Sequence, residues 1–529
     1  MTTFAFQAKT MNTVQIPEPD LSQRPNILFI MTDQQRLDTI ASLGNSEIHT
    51  PNLDRLVHRG ATLSRCYSPF PVCVPARYSI RTGRTPLTTG YFQNEPPSTI
   101  SGESTEDRCG PYLARAMRER GYRTFGIGKF HTIPVEEDIG YDVYLRSEEM
   151  DGYPDAYSRF IWSHPAYKHI EQLHGERTNM YYQPQTSPLP QELTVERWAA
   201  DQAVAQIRQL DDRPYFGLVS FVGPHPPFAP PVPYNRMYDP DRMRDPIPGP
   251  DEIDFMDERV RWNSYFVFAE DISNATFRSL RARYYGEISY MDNCLGRILD
   301  AVEASPEADN TLICFFADHG EFLGDHQAVQ KENFFEESVH VPMLLSWPEK
   351  IDPDTRCATL ASLTDLFGIA TTAAGSTELR DGVDILGILE GTAEERKYCF
   401  SISSPPGDLN FRMMCVKDSW KYIFHANGGG ELLFDLSSDP REHNNLLEAH
   451  PQIHEELKSA CLDQLRSQPL GAGALDGEGF KSFPRTPLKL ERCYQMNTFR
   501  GVTGFPEKPE EVSYSPSASP ASPDWSQNP

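Results

Sequence analysis

Positive charge is the first thing this sequence has little of. Lys and Arg number 49 against 75 Asp and Glu in 529 residues, a formal net charge of −26. A nucleic-acid binder meets phosphates with a basic surface, so that class is excluded. Polyanionic substrates are repelled at long range unless some part of the surface inverts the sign. Paired cysteines are missing too: the ten Cys show no Cys-x-x-Cys spacing and no dense framework, which argues against a disulfide scaffold. Long apolar runs are absent, since nothing approaches the ~18 apolar residues of a membrane span. Met1–Gln23 carries one Lys, two acids and two Pro without an apolar stretch, unlike a signal peptide. The expectation is a cytoplasmic protein with neither a membrane nor a nucleic acid as partner. Internal repeats are also lacking.

What is present reads as an ordinary soluble enzyme, with 39% hydrophobic and 23% charged residues. The length suits one large α/β domain plus a smaller one. Short apolar runs alternate with amphipathic segments, the pattern of a doubly wound sheet. Asn26–Met31, Tyr122–Ile127, Tyr215–Val222, Thr311–Phe316 and Met343–Trp347 read as buried strands. Within Thr276–Glu303 the residues Leu280, Tyr284, Ile288, Met291, Leu295, Ile298 and Val302 recur at spacings of three and four, a helical stripe. Pro224–Pro250 holds ten prolines and predicts a long irregular loop. From about Glu394 shorter β-like pieces follow, closed by a helix over roughly Pro451–Gln468, while Pro506–Pro529 reads as a Pro- and Ser-rich tail.

Four of the predicted strands are each followed at once by unusual polar residues. These are Thr32-Asp33-Gln34-Gln35, Gly128-Lys129-Phe130-His131, Gly223-Pro224-His225-Pro226 and Ala317-Asp318-His319-Gly320. A single Asp after a strand is ordinarily a helix cap or turn residue. Four such groups carrying two carboxylates, three His and a Lys exceed turn chemistry, and ligands of open α/β sheets bind beyond the carboxyl ends of strands. Asp33, Asp318 and His319 suit a divalent cation, with Gln34 adding an amide oxygen. Lys129, Lys331, Arg77, His131 and His225 would make the pocket strongly positive. Such a site favours a small oxygenated anion: sulfate, phosphate or phosphonate. The stretch Arg24–Arg84 inverts the sign of the chain locally, with eight Arg against four acids.

A fifth group is Cys73-Val74-Pro75-Ala76-Arg77, continuing to Thr82-Gly83-Arg84. Pro75 opens a helix and puts Cys73 at or just before its N-terminus, where free N–H groups and the dipole favour an anion. The residues alone leave two readings of Cys73: a buried apolar side chain, or a thiolate nucleophile with a His base.

These residues resemble the formylglycine-dependent sulfatases of the alkaline phosphatase superfamily. The family pattern Cys-x-Pro-x-Arg followed by Thr-Gly-Arg stands here as Cys73, Pro75, Arg77 and Thr82-Gly83-Arg84. The similarity extends over PNILFIMTDQ, TPNLDRL, GKFH, PHPPF, ADHGEFLGDH and ELLFDLSSDPREHNNL. The resemblance implies a large mixed, mostly parallel sheet sandwiched by helices, with a smaller C-terminal α+β subdomain. It implies that a formylglycine-generating enzyme, a transient partner, oxidises Cys73 to formylglycine, whose hydrate attacks the sulfur of a small sulfate ester. In that scheme Asp33, Gln34, Cys73, Asp318 and His319 hold a divalent metal, Ca²⁺ or in some relatives Mn²⁺. Arg77 and Lys129 steady the diol, and His131 is the base for its collapse. His225 and Lys331 bind sulfate and assist the departing oxygen.

Three residues depart from the commonest pattern: Ala76 for Ser, Gln34 for a second Asp, and His319 for Asn. This set also resembles the phosphonate monoester and phosphodiester hydrolases and the choline sulfatases. A phosphonate or phosphodiester hydrolase is therefore the alternative within the superfamily, and a non-catalytic anion- or glycan-binding homologue that keeps the fold is the alternative from another functional class. The expected domains are 24–393 (catalytic), 394–475 (antiparallel sheet) and 476–529 (extension), in a homo-oligomer. Substrate choice is expected from Glu136–Pro190, with Trp162, His164 and His174, from the Pro-rich loop, and from the C-terminal region, where Lys481, Arg485 and Lys489 read first as solvated surface and second as contacts to an anionic substrate.

Overall fold

Burial on both faces explains the apolar runs. In a computed structural model the described residues are 24–96, 103–149, 153–177, 181–249 and 258–487, so the N-terminal stretch, Lys489 and the Pro/Ser-rich tail lie outside them. Eight strands form the main sheet: β1 (Asn26–Thr32), β2 (Ala61–Leu63), β3 (Arg123–Gly128), β4 (Val143–Arg146), β5 (Tyr215–Ser220), β6 (Thr311–Ala317), β7 (Met343–Ser346) and β8 (Thr355–Cys357). Every residue of β1, β3, β5 and β6 is buried. A strand covered on both sides has no polar face, hence continuous apolar sequence.

The strand order is β8-β2-β7-β6-β1-β5-β3-β4. β1 runs parallel to β5 and β6, and β3 parallel to β4 and β5. β7 runs against both its neighbours, β2 and β6. The alternation of β1 feeds two cores: Ile27, Phe29 and Met31 pack into one, Leu28 and Ile30 into the other. The second core also takes α2 (Val195–Ile207) and part of α4 (Asn274–Glu303), while α1 (Cys73–Thr82) lies in the first; α3 spans Glu258–Phe266. The 30-residue α4 follows the predicted helical stripe and begins where the Ser273 side chain accepts from the Thr276 N–H. Among the described residues no helix is long and apolar enough to cross a membrane.

A second, antiparallel sheet comprises β9 (Cys399–Ser403), β10 (Arg412–Lys417), β11 (Trp420–His425) and β12 (Glu431–Asp435), in that spatial order. α5 (Pro451–Ser467) covers one face with Leu457, Cys461 and Leu465 against Met413, Cys415 and Tyr422. Phe70 and Val72, which lead into Cys73, join that cluster. The other face sets Met414, Val416 and Ile423 on Phe322, Phe334 and Phe335. Fully buried Lys421 donates to the Phe334 carbonyl at 2.7 Å and to Glu442 at 2.8 Å, and pairs with Glu336 at 2.5 Å. This small sheet therefore presses on two chain segments at once, one before Cys73 and one after Lys331.

Candidate active site

The four polar groups converge because their strands are neighbours. β6, β1, β5 and β3 lie side by side and parallel, so Asp318, Asp33, His225 and Lys129 all leave the same edge. Thr32 pairs with Ala317, and the next residues on each strand are the two aspartates. The backbone then knits the edge together: Asp33 N–H donates to the Gly223 carbonyl at 3.1 Å and Lys129 N–H to the Ser220 carbonyl at 2.9 Å. Gly128 precedes that second bond with φ +102, and a Cβ there would stand 1.9 Å from the same carbonyl. Only glycine tolerates both conditions.

Cys73 arrives from α1. The helix starts at Cys73, two residues ahead of Pro75, because the extended Val72 caps it without a side-chain hydrogen bond. No Ser, Thr, Asp or Asn announced that start. Gly83, at φ +64, ends it by donating to the Ser79 carbonyl. Every residue of α1 is buried, so Cys73 at the first helical position sits deep in the molecule beside the strand edge.

Asp33, Cys73, Asp318 and His319 each offer one ligand atom, all within 4.8 Å of one another. The His319 Nδ1 lies 3.1 Å from the Gly320 carbonyl, which can only accept. Nδ1 therefore carries the proton and Nε2 turns its lone pair to the cluster, 3.2 Å from Cys73 Sγ. Arg77, 1% exposed, bridges the carboxylates: Nη2 donates to Asp33 and Nε to Asp318, both at 2.9 Å. Its Nη1 donates to the Ser220 hydroxyl at 3.0 Å. Lys129 donates to Asp33 and stands 3.9 Å from Cys73 Sγ. Gln34, at φ +69, gives its amide N–H₂ to Glu321, which fixes the amide oxygen on the Lys331 ammonium at 2.6 Å. Lys331 also reaches His225 Nε2 at 3.2 Å.

The electrostatics follow from burial and these pairs. Burial works to raise Asp33, but Lys129, His225, Arg77 and His319 outweigh it and hold the carboxyl well below its usual range. Burial, then the charge of Asp33, push Asp318 upward. Burial and Asp33 oppose ionisation of the Cys73 thiol, yet Lys129, Lys331 and His319 bring it down to about 6. A divalent cation fits this donor set. Hard carboxylate oxygens with an imidazole nitrogen suit such an ion, and its charge would relieve the repulsion that raises Asp318.

Of the residues expected from sequence, Asp33, Cys73, Asp318 and His319 form the cluster, with Gln34, Arg77, Lys129, His225 and Lys331 bonded around it. His131 stands apart from the four-atom cluster; half-buried at φ +51, it gives its backbone N–H to Glu148 at 2.9 Å. The aromatic insertion spends its candidates on its own packing. Trp162 donates to the Ile170 carbonyl at 2.7 Å, and burial pushes His174 down to about 3 beside Tyr157. Lys481 lies over the Phe483 ring.

Sequence reasoning missed Glu149, Arg177 and Glu321. Buried Glu149 pairs with Lys129 at 2.9 Å, and with Arg177 and His225 at 3.2 Å. Glu149 follows β4, a four-residue half-buried strand without the apolar run that exposed the others; the polar trio Ser147-Glu148-Glu149 was its signal. Asp325, in the same loop as Lys331, binds Arg36, Arg244 and Arg281 and anchors the Pro-rich loop to the strand edge.

A family model described as Sulfatase matches residues 25–376, and one described as N-sulphoglucosamine sulphohydrolase, C-terminal, matches residues 324–468. The chain is 27% identical to an arylsulfatase of Clostridium perfringens over 491 residues, covering 88% of this chain and 99% of that protein. It is 30% identical to a choline-sulfatase of Rhizobium meliloti over 458 residues, covering 80% and 83%. In fold it is similar to the phosphonate monoester hydrolase of Agrobacterium radiobacter, with a TM-score of 0.70, 24% identity and coverage of 83% and 95%.

Proposed function

The chain belongs to the sulfatase family, and from that premise we propose that it hydrolyses small sulfate monoesters to alcohol and sulfate at the cluster built on Cys73. One observation carries the assignment to these residues. Two aspartates, a histidine and the cysteine of the Cys-x-Pro-x-Arg pattern lie within 4.8 Å of one another, buried and ringed by Arg77, Lys129 and Lys331. A binder of anions needs the cations but has no use for a nucleophile aimed among them.

The family implies a divalent metal and a formylglycine. When present, the cation supplies Lewis-acid polarisation of sulfate oxygens, and the hydrated formylglycine derived from Cys73 supplies the nucleophile. Asp33, Gln34, Asp318 and His319 would hold the cation. We assign Ca²⁺ to this site; elemental analysis of the purified protein checks it, and Mn²⁺ would overturn it. Arg77 keeps both carboxylates in register by its fork of N–H groups. Lys129 and Lys331 bring positive charge to an anion that an acidic chain otherwise repels. His131, two residues beyond Lys129, is assigned as the base that restores the resting form.

Mass spectrometry of the peptide containing Cys73, after co-expression with a formylglycine-generating enzyme, tests the reading. The aldehyde or its hydrate is expected in active protein; an unmodified thiol at full activity would overturn it. The pairs Asp33-Gln34 and Asp318-His319 favour one second reading, a phosphonate monoester or phosphodiester hydrolase, since each replaces a member of the commonest sulfatase pattern. The ratio of kcat/KM on matched sulfate and phosphonate esters decides between the two, and a ratio favouring sulfate is expected.

His225 is assigned to the departing oxygen together with Lys331. General-acid help is worth roughly 10²–10⁴-fold, and a poor leaving group needs it most. His225→Ala should therefore lose on the order of 10³-fold on an alkyl sulfate and far less on an activated aryl sulfate. Parallel kinetics on the two esters check this, and equal losses would remove the role.

A further inference from the structure

Two partners of the His225 ring have a fixed hydrogen-bonding chemistry. Nδ1 lies 2.7 Å from the Pro226 carbonyl, which can only accept, so Nδ1 bears a proton. Nε2 lies 3.2 Å from the Lys331 ammonium, which can only donate, so Nε2 presents its lone pair. Behind the ring, on the Nδ1 side, is a carboxylate with no part in the reaction described so far. Glu149 Oε1 stands 3.2 Å from His225 Nδ1 and 3.2 Å from Arg177 Nη2, while Oε2 takes the Lys129 ammonium at 2.9 Å. Arg177 Nη2 is itself 3.2 Å from Nδ1. Two donor edges facing each other at that distance repel unless an acceptor draws both, and Glu149 Oε1 is at ion-pair distance from each. All three groups are buried, with Glu149 4% exposed, His225 2% and Arg177 8%, so their charges are little screened by water.

We propose that Glu149 is a positioning residue of the hydrolysis: with the Pro226 carbonyl it holds the Nδ1–H edge of His225, keeps Nε2 turned toward Lys331 and the ester, and stabilises the imidazolium that forms there. This rests on the reading that His225 serves the departing oxygen. As the nucleophile at residue 73 bonds to sulfur, the ester S–O bond breaks, its electron pair stays on the bridging oxygen, and that oxygen takes a proton from Nε2. Nε2 receives its proton from the Lys331 ammonium. Nδ1–H is kept throughout, and the ring is cationic only in passing, when the neighbouring carboxylate matters most. Carbonyl and carboxylate differ in this respect: the carbonyl orients the ring, whereas only the carboxylate favours its charged form. Arg177 and Lys129 confine Glu149 by an ion pair to each of its oxygens.

The test uses the matured, metal-loaded enzyme on 4-nitrophenyl sulfate and an unactivated alkyl sulfate, with Glu149→Gln, His225→Ala and the double variant. Glutamine keeps the shape and removes the charge. Glu149→Gln is expected to lower kcat on the alkyl ester about 10²-fold, to change it by less than about 5-fold on the aryl ester, and to leave KM within about 2-fold. Because Glu149 acts through His225, the double variant should lose no more than about 3-fold beyond His225→Ala alone. Equal losses on the two esters, or losses that multiply in the double variant, would overturn the inference, since action through Lys129 or through the fold gives those results. Should Glu149→Gln not fold, Glu149→Asp retains the charge, and a steep loss on the alkyl ester from the shorter reach is then expected; a flat one is contrary. Failure of the underlying reading looks different. Equal losses from His225→Ala itself overturn both readings, whereas a steep His225→Ala with a flat Glu149→Gln overturns only this one.

Discussion

Replacing Cys73 by alanine is expected to lower kcat/KM on aryl sulfates by about 10⁵-fold or more, the scale of loss when a covalent nucleophile is removed. Cys73→Ala deletes one atom, Sγ. The residue is fully buried at the first position of a helix, where alanine has the highest helical propensity. Asp33, Asp318, Arg77 and Lys129 keep their mutual bonds without Sγ. Folding should therefore survive while turnover does not. Steady-state rates alongside a thermal melt check this. Turnover within tenfold of the parent would remove residue 73 from the chemistry.

The second large effect concerns stability. Arg77→Met takes away the cation that Asp33 and Asp318 share, leaving two buried carboxylates 0% exposed and facing each other. Removing one partner of a buried pair costs about 3–5 kcal/mol, because the charge left behind has no water to turn to. Lys129 still holds Asp33, so the larger share of the cost falls on Asp318, already pushed upward by burial and by its neighbour. Urea unfolding in the presence of a chelator should show the full loss. Excess Ca²⁺ should restore part of it, since an ion bound by the native state alone stabilises by mass action. Coincident unfolding of Arg77→Met and the parent in chelator would contradict the clamp.

Much of the site was legible because central parallel strands carry no polar face. Five apolar runs therefore marked β1, β3, β5, β6 and β7, and the polar residues just beyond four of them supply the carboxylates and histidine of the cluster and cations around it. The order of those strands was not legible, since neighbours in the sheet are set by crossovers, yet that order puts Asp33 beside Asp318. β4 has only four half-buried residues and mixes polar with apolar, so it left no run, and Glu149 behind it was lost. The start of α1 was legible from Pro75, which set Cys73 at or just before the helix N-terminus, although Val72 caps it without a side-chain hydrogen bond. Lys331 follows no strand, and its placement depends on bonds from Gln34, His225 and, through Phe334, Lys421 of the second sheet. Such contacts join residues 87 to 297 positions apart in sequence and have no periodicity to read.

The docking of Phe70 and Val72 under the second sheet bears on the order of events during synthesis. Cys73 leaves the ribosome early, but the residues that pack on Phe70 and Val72, Ile402, Met413 and Phe424 among them, are translated much later. At ordinary elongation rates the interval is on the order of tens of seconds. In the folded chain Cys73 has no exposed surface, so its Sγ offers a second protein nothing to reach. The conversion proposed for Cys73 would then be confined to a temporal window that shuts with translation of the last quarter of the chain. Slower elongation past residue 399 should raise the converted fraction, and refolding of finished, unconverted chains should close that opportunity for good.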